Sequence, residues 1–223
     1  MRLMRSLVAA LLGLGALLLT ALALPAMWTE RNVVDEDGYV AFTAPLASDH
    51  ELQSALAQVV AQSVVDNTRV PPAARPVVQK AAARIAGLPG YSDAWRESNR
   101  RSHRAVFGDP RDRSPKQDGS DRLVVDVGPF AQLVVDRVND TAGTHLEAPG
   151  QVVVNVGGSN QQRLVERLRS LDPLAYVLAG AAVLLAICSV LLARGRGAAL
   201  AWLGVGAVAV AGVLKLLTAA LLP

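Results

Sequence analysis

The sequence is poor in the residue types that build an ordinary soluble domain. Aromatic residues make up 4% of its 223 residues, charged residues make up 18%, and there is one cysteine. A soluble protein has about 25% charged and about 45–50% apolar residues. In this chain 52% of the residues are hydrophobic, and the excess lies in three blocks at the two ends. One soluble globular domain and a fully disordered chain are both excluded.

Acidic residues are absent from both ends of the chain. All 19 of them lie between Trp28 and Asp172, together with 17 of the 22 basic residues, so this segment has a net charge of −2. The net charge of +3 for the whole chain comes from five bases in or beside the hydrophobic blocks: Arg2, Arg5, Arg194, Arg196 and Lys215. A nucleic-acid-binding protein gathers its basic residues on a folded domain, so we expect no nucleic-acid partner.

The first hydrophobic block, Leu7–Leu24, contains 18 residues without a charge. As a helix it would be about 27 Å long, close to the roughly 30 Å of a bilayer core. A cleaved signal peptide is the alternative, because Arg2 and Arg5 precede the block and Ala21-Leu22-Ala23 fits a cleavage site. Signal peptides have shorter apolar regions, of about 7–15 residues, and the length therefore favours an uncleaved anchor.

Two further blocks, Pro173–Ala193 and Ala198–Leu222, form a hairpin of predicted spans. Asp172-Pro173 is typical of a helix start, with an N-capping Asp before a Pro at the first helical position. The link between the two spans, Arg194-Gly195-Arg196-Gly197, is basic. Basic loops stay on the cytoplasmic side of a membrane, so we expect the turn of the hairpin to face the cytoplasm.

Arg2 and Arg5 give the same orientation, because they place the N-terminus in the cytoplasm. The sequence thus predicts a multi-pass protein of the cell membrane, in contact with the lipid bilayer, with residues 28–172 extracytoplasmic. The predicted segments are 1–27 as the cytoplasmic start and first transmembrane helix, 28–172 as the extracytoplasmic domain, 173–193 as the second transmembrane helix, 194–197 as the cytoplasmic turn and 198–223 as the third transmembrane helix.

Ionisable residues are almost missing from the predicted spans. Lys215 is the single charge, near the outer end of its helix, where the stem of a Lys can reach the headgroups. An ion or substrate site is the alternative interpretation. Proton relays and cation-coupled transporters use acidic residues or His within their spans, so we do not expect transport by this chain alone. Cys188 in the second span is interpreted as a packing residue.

Residues 28–172 are predicted to form an α-rich α+β domain with a very small sheet. Two runs rich in β-branched residues, Leu123–Val127 and Gln151–Val156, are the predicted strands. The helix between them, Pro129–Asn139, would make them parallel through a right-handed crossover. Apolar spacing and capping residues predict the other elements: a helix over Gly38–Ala44, one after the Ser48-x-x-Glu51 capping box, one over Val77–Ala86, one capped by Ser92, an exposed loop over Gly108–Arg122 and a helix after the Ser159-x-x-Gln162 capping box that runs into the second span.

Trp95, Asn99 and His103 recur at helical spacing and form the main candidate site, with Arg100 beside Asn99. Asn and His one turn apart could bind a metal, shuttle a proton or hold a polar ligand. A metal would need further ligands, and the sequence contains neither HExxH nor CxxC, so we expect no metal and no cofactor. The structural interpretation is a polar helix face under a loop, with His103 bonded to a backbone carbonyl.

Arg96, Arg100 and Arg104 are spaced by four residues and form a basic stripe on the same helix. A solvated helix face is the default interpretation, and contact with lipid headgroups or acidic envelope polymers is the alternative. Gly157-Gly158-Ser159, between a predicted strand and a predicted helix, resembles a minimal anion nest, and a tight strand-to-helix turn explains it equally well. The sequence contains no GxSxG motif, and no catalytic residues are predicted.

The run Trp28–Val40, continuing to Ala44-Pro45-Leu46-Ala47, resembles the start of the outer domain in a family of uncharacterised actinobacterial integral membrane proteins. The pattern of Trp95, Asn99-Arg100 and His103 and the closing hairpin of spans are similar too. The resemblance implies an envelope location and an extracytoplasmic domain between an N-terminal span and a C-terminal span hairpin. It implies no activity and no catalytic residue.

Three classes of function are compatible with these patterns. The favoured one is a non-enzymatic membrane protein whose outer domain binds a partner protein or an envelope component. The second is an accessory subunit of a membrane transporter or secretion complex, since the three spans lack ionisable relays. The third is an envelope enzyme or metal site centred on His103.

Overall fold

A computed structural model of the chain describes residues 2–108, 123–156, 161–193 and 195–221. The chain divides into two compact units. Residues 1–31 and 168–223 form the apolar unit, and residues 32–167 form the middle unit. Most of the predicted polar loop, the Gly157-Gly158-Ser159 turn and the start of the capping box at Ser159 lie outside the described residues.

In the described part of the chain, three helices are long and apolar enough to cross a membrane, which confirms the predicted number of apolar spans. They extend over Met4–Val34, Leu174–Leu192 and Arg196–Leu216. These stretches belong to α1, Arg2–Thr29, which continues as a π-helical turn over Glu30–Val34, to α7, Gln161–Leu192, and to α8, Arg196–Leu221.

Helix α7 corrects one sequence prediction and confirms another, since the helix that follows the capping box at Ser159 runs into the second span. It continues through Asp172 and Pro173, where the sequence predicted an N-cap and a helix start. Helix α1 likewise contains Pro25 in its interior. A Pro inside a helix removes one backbone hydrogen bond, and apolar spans tolerate this because neighbouring groups can satisfy the freed carbonyl. The long helical stretches on both sides therefore override the local capping signal.

Helices α1 and α7 bury small residues at intervals of seven. The buried set is Ala9, Ala16 and Ala23 in α1 and Ala175, Ala182 and Ser189 in α7, none of them more than 6% exposed. The Ser189 hydroxyl donates a hydrogen bond of 2.7 Å to the carbonyl oxygen of Ala9. Small residues allow two helices to approach closely, as they do at helix interfaces in membranes.

The middle unit contains five helices within the described residues. They are α2, Glu36–Thr43; α3, His50–Asn67; α4, Arg75–Ala83; α5, Tyr91–Phe107; and α6, Gly128–Ala142. Short 3-10 turns lie at Ala44–Ser48, Pro72–Ala74 and Ile85–Gly87. The helix predicted over Val77–Ala86 is thus a shorter α-helix that begins two residues earlier and ends in a separate turn.

The helix starts of the middle unit correct three predictions. Helix α2 was predicted to begin at Gly38 and begins at Glu36. The carboxylate of Asp35 caps it by accepting a hydrogen bond from the backbone N–H of Gly38. Asp49, and not Ser48, caps α3 through the N–H of Leu52. Gly90 precedes α5 in the left-handed region, with φ +88°, in place of a Ser92 cap. A carboxylate is a stronger hydrogen-bond acceptor than a hydroxyl, which explains why Asp49 caps the helix in place of Ser48.

The two strands, β1 over Leu123–Asp126 and β2 over Val153–Val156, are antiparallel, and the predicted parallel arrangement is wrong. Asp126 pairs with Val153, so β2 begins beside the end of β1. Helix α6 leads away from that end and stops at Gly143, φ +61°. Residues 144–152 then lead back to the start of α6. This extended return segment replaces the direct crossover that a parallel pair requires.

The core of the middle unit lies between α3, α4, α5 and α6. Its largest fully buried side chains are Phe130, Ile85, Val60, Val64, Val78, Val134, Val135 and Val138. The ring of Phe130 lies 5.7 Å from that of Tyr91 and 6.3 Å from that of Trp95. An aromatic cluster in a chain with so few aromatic residues marks the point around which α5 and α6 pack.

Candidate functional site

Trp95 attaches α5 to the end of α2. Its side chain is 8% exposed, and its indole N–H donates a hydrogen bond of 3.2 Å to the carbonyl oxygen of Thr43. The ring also meets Phe130 edge-on. A buried Trp needs a partner for its N–H, and the carbonyl of Thr43 provides one. The ring and the N–H of Trp95 therefore both have structural partners.

His103 is bonded to the π-helical turn at the end of the first apolar helix. It is 6% exposed, and its Nε2 atom lies 3.0 Å from the carbonyl oxygen of Val33. A carbonyl oxygen only accepts, so Nε2 carries the hydrogen. The imidazole stacks on Phe107 at 4.7 Å and lies 5.2 Å from the ring of Tyr39. Burial raises the pKa of the Tyr39 phenol. The backbone-carbonyl bond expected in the structural interpretation is present.

Asn99 does not join the other two side chains around a common ligand. It is half-buried, and its amide N–H donates a hydrogen bond of 2.8 Å to the carbonyl oxygen of Trp95 in its own helix. Trp95, Asn99 and His103 thus each bind a different backbone carbonyl. Trp95 and His103 attach this face of α5 to residues 33–43, whereas Asn99 bonds within the helix.

The predicted basic stripe carries ion pairs along its length. The pairs are Arg96 with Asp93, Arg100 with Asp37 at 3.5 Å, Arg100 with Glu36 at 3.8 Å and Arg104 with Glu36 at 3.0 Å. The hydrogen bond and the charge of Glu36 raise the pKa of the Arg104 guanidinium. These arginines remain at least 39% exposed. The geometry is that of a solvated, ion-paired face, and its carboxylates weaken any attraction for acidic polymers.

Asp126 is a polar anchor that the sequence patterns did not reveal. Its side chain is 4% exposed, and one carboxylate oxygen accepts from the N–H groups of Gly128 at 2.9 Å and Val152 at 3.1 Å. The other oxygen lies 3.9 Å from the guanidinium of Arg101. A Cβ at position 128 would lie 2.9 Å from the same carboxylate, so this site requires glycine. An acid at the end of an apolar strand was the signal that could have revealed it.

Two serines of α5 bind the backbone of that strand. The hydroxyl of Ser98 donates to the carbonyl oxygen of Asp126. The hydroxyl of Ser102 accepts from the N–H of Asp126 at 2.9 Å and donates to the carbonyl of Ser98 at 2.7 Å. Both serines are buried. The small sheet is thus attached to α5 by hydrogen bonds as well as by apolar packing.

A groove of about 440 Å³ lies between α5, the start of α6 and the return segment. Its polar lining consists of Asp93, Glu97, Arg101, Gln132, Asp136 and the backbone at Gly150. Arg101 is fixed there by Glu97 at 2.8 Å and by the carbonyl of Gly150 at 3.2 Å. Asp93 is paired with Arg96 and Glu97 with Arg101, so the exposed carboxylate of Asp136, which accepts from Gln132, gives this lining its negative balance. The groove can accept hydrogen bonds from a polar or basic group of moderate size.

Among the described residues, no group of three or more His, Cys, Asp or Glu side chains could hold a metal ion. Comparisons with protein-family models, with curated proteins and with solved structures each found no match. The function of the chain is therefore inferred from its own residues and contacts.

Proposed function

We propose that this chain is a multi-pass membrane protein whose residues 28–172 lie outside the cytoplasm and bind a partner protein of the membrane or envelope. The groove between α5 and α6 supports the binding role. It presents several polar side chains around one concave surface. Such convergence is typical of binding sites.

The basic residues of the sequence support the orientation. Arg2 and Arg5 precede the first apolar helix, and Arg194 and Arg196 lie between the last two. One span separates each basic cluster from the middle residues, so both clusters lie on the side of the membrane opposite to those residues. The preference of basic loops for the cytoplasmic side places both clusters in the cytoplasm. The acids of the chain all lie in the segment that this rule places outside.

The packing of α1 supports an anchor that stays attached. Helix α1 passes through the cleavage-like Ala21-Leu22-Ala23 without a break. Its Ala9 carbonyl accepts from Ser189 of α7, and Ala9 and Ala16 are buried. Cleavage after Ala23 would remove these contacts from the apolar unit.

The groove lining indicates what kind of partner would bind. The guanidinium of Arg101 is bonded to the carboxylate of Glu97 and to the carbonyl oxygen of Gly150. The carboxylate of Asp136 accepts a hydrogen bond of 2.8 Å from Gln132, and the side chains of Asp136 and Gln132 are exposed. A partner that presents Lys, Arg or amide groups would find acceptors here. Acidic polymers would meet like charge.

Site-specific photo-crosslinking in intact cells tests the binding role. A photo-reactive residue replaces Gln132 in the groove, and the matched control replaces Gln58, an exposed glutamine of α3 outside the groove. We expect a discrete adduct from position 132 that Asp136→Asn weakens, and a weaker or absent adduct from position 58. Adducts that are equal at both positions, or absent at 132, would contradict the proposal.

The identity of the adduct separates the alternative functions. A transporter or secretion subunit at position 132 would favour the accessory-subunit alternative. The enzyme alternative centred on His103 requires that side chain to be free for chemistry, whereas its Nε2 donates to Val33 and its ring is stacked. These contacts favour a structural His103.

Cysteine labelling tests the orientation independently of any partner. In a Cys188→Ser background, Ser54→Cys places a thiol on exposed α3 and Gly197→Cys places one at the start of α8. We expect an impermeant maleimide to label position 54 in intact cells and position 197 only after permeabilisation. The reverse pattern would overturn the topology.

A further inference from the structure

A second groove, of about 500 Å³, lies within the apolar unit. It is bounded by the first half of α1, the end of α7 and the start of α8. Residues that line it include Ser6, Ala10, Gly13, Leu17, Ala199 and Trp202. Small residues leave the space open, and Trp202, which is 75% exposed, forms one wall.

The length of this groove matches one leaflet of a bilayer. Ser6 and Leu17 both line it, and the eleven helical rises between them span about 16 Å. Half of a bilayer core of roughly 30 Å is about 15 Å. At one end the groove reaches Gly195, beside the turn between α7 and α8. Its lining is mostly apolar, as an acyl chain requires.

Positive charge lies at the end of the groove near that turn. The Nε atom of Arg5 donates a hydrogen bond of 3.1 Å to the carbonyl oxygen of Leu192, which directly precedes the groove-lining Ala193. A guanidinium has four further N–H groups. Arg196 is exposed and lies between the groove-lining Gly195 and Ala198. Arginine binds phosphate with paired hydrogen bonds.

We propose that this groove binds one anionic phospholipid, with an acyl chain along α1 and α8 and the phosphate at Arg5 and Arg196. The proposal requires that the three apolar helices cross a bilayer, and it is independent of what the middle unit binds. Charge complementarity selects this occupant over a zwitterionic lipid, because a net negative headgroup gains from both arginines.

Native mass spectrometry of the full chain tests the site. The protein is reconstituted in vesicles of equimolar phosphatidylglycerol and phosphatidylcholine, extracted in mild detergent and examined for retained lipid. We expect a single phosphatidylglycerol adduct. One arginine near a membrane surface contributes about a fivefold change in affinity for anionic lipid, so Arg5→Gln and Arg196→Gln should each lower the ratio of phosphatidylglycerol to phosphatidylcholine adducts by about that factor.

Filling the groove tests the acyl-chain site separately from the charge. Ala10→Leu combined with Ala199→Leu places two bulky side chains in the lining, and the control combines Ala201→Leu with Ala207→Leu on exposed parts of α8 outside it. We expect loss of the adduct in the first variant and its retention in the control. Equal retention of both lipids by the unsubstituted protein, or an adduct that survives filling, would overturn the proposal.

Two further measurements keep the outcomes distinct. Carbonate extraction and the labelling of Ser54→Cys report whether each variant still inserts in the proposed orientation. Loss of the adduct supports the lipid site when the filled variant inserts like the unsubstituted protein. A chain that is extracted by carbonate would instead refute the membrane location on which the site depends.

Discussion

The middle unit buries large apolar side chains as well as small ones, whereas the buried side chains of the apolar unit, among the described residues, are small. In the middle unit Phe130 is 2% exposed and Ile85 is 1% exposed. In the apolar unit Leu11 and Leu22 are 60% and 62% exposed, whereas Ala16 is 3% exposed. Water drives large apolar side chains inward. A lipid exterior is itself apolar, so close packing selects small residues for the interface. The contrast is the one expected if lipid surrounds the apolar unit and water surrounds the middle unit.

The two units also differ in how polar groups connect their helices. The middle unit joins elements through several buried side chains, including Trp95, Ser98, His103 and Asp126. A corresponding buried bond in the apolar unit joins Ser189 to Ala9. A buried polar group needs a hydrogen-bond partner in either unit. The apolar unit has few polar residues, so it needs few such bonds. The same kind of substitution should therefore change stability by different amounts in the two units.

The largest expected difference comes from the same substitution in the two units. Trp95→Ala removes a buried ring and its hydrogen bond, and we expect a loss of about 3–5 kcal/mol in the free energy of unfolding. Trp202→Ala removes a ring that is 75% exposed, and we expect a change within about 0.5 kcal/mol. Thermal unfolding of the purified full chain, followed by near-ultraviolet circular dichroism, measures both. Equal losses would break the comparison.

Enlarging a buried small residue tests the apolar unit directly. Ala16→Leu forces a larger side chain into the interface of α1, and we expect a destabilisation of about 1–3 kcal/mol. Ala209→Leu on the exposed side of α8 is the control, and we expect it to be neutral. Resistance to thermal aggregation in detergent measures the difference. An Ala16→Leu protein as stable as the control would mean that this interface is not closely packed.

His103→Ala tests whether the buried face of α5 is structural. The change leaves the Val33 carbonyl without its donor, and we expect a loss of about 1–3 kcal/mol in stability and a lower amount of folded protein. His50→Ala on the exposed start of α3 is the matched control. Unchanged abundance and melting temperature, together with loss of a cellular phenotype or a metal signal, would favour the enzyme alternative.

The smallest expected effect concerns the exposed ion pair of Arg104 and Glu36. Exposed pairs contribute about 0.2–1 kcal/mol, so Arg104→Gln and Glu36→Gln should each have a small effect that is not additive in the double variant. High salt should abolish the coupling energy. A coupling energy well above that range would show that the pair is shielded from solvent and that α2 and α5 depend on it.

The sequence predicted the elements of this fold better than their arrangement. The three apolar spans follow from long uncharged runs, because a run of that length has few alternatives. The helices of the middle unit follow from apolar periodicity and turn residues. Their starts moved by one or two residues because several capping residues compete within one turn. The prediction of parallel strands was wrong, because the sequence does not show that residues 144–152 form an extended return segment.

The candidate site was predicted in part. The spacing of Trp95, Asn99 and His103 correctly indicated one face of one helix, since spacing within a helix is a local property. The partners of that face, Thr43 and Val33, lie 52 and 70 residues away. Long-range partners are not encoded in local spacing, and for the same reason the role of Asp126 was missed.

By itself the sequence determined which segments are helical, which of them are apolar enough for a bilayer, and where all the acidic residues lie. These properties depend on composition and periodicity, which local chemistry fixes. Only the tertiary structure decided that β1 and β2 are antiparallel, that α7 continues through Pro173, that Asp126 is buried and that Arg100 and Arg104 pair with Glu36 and Asp37. The strand pairing, the burial of Asp126 and the ion pairs depend on contacts between residues far apart in the chain, which form only when the helices pack together. Helix α7 continues through Pro173 because long helical stretches lie on both sides of it.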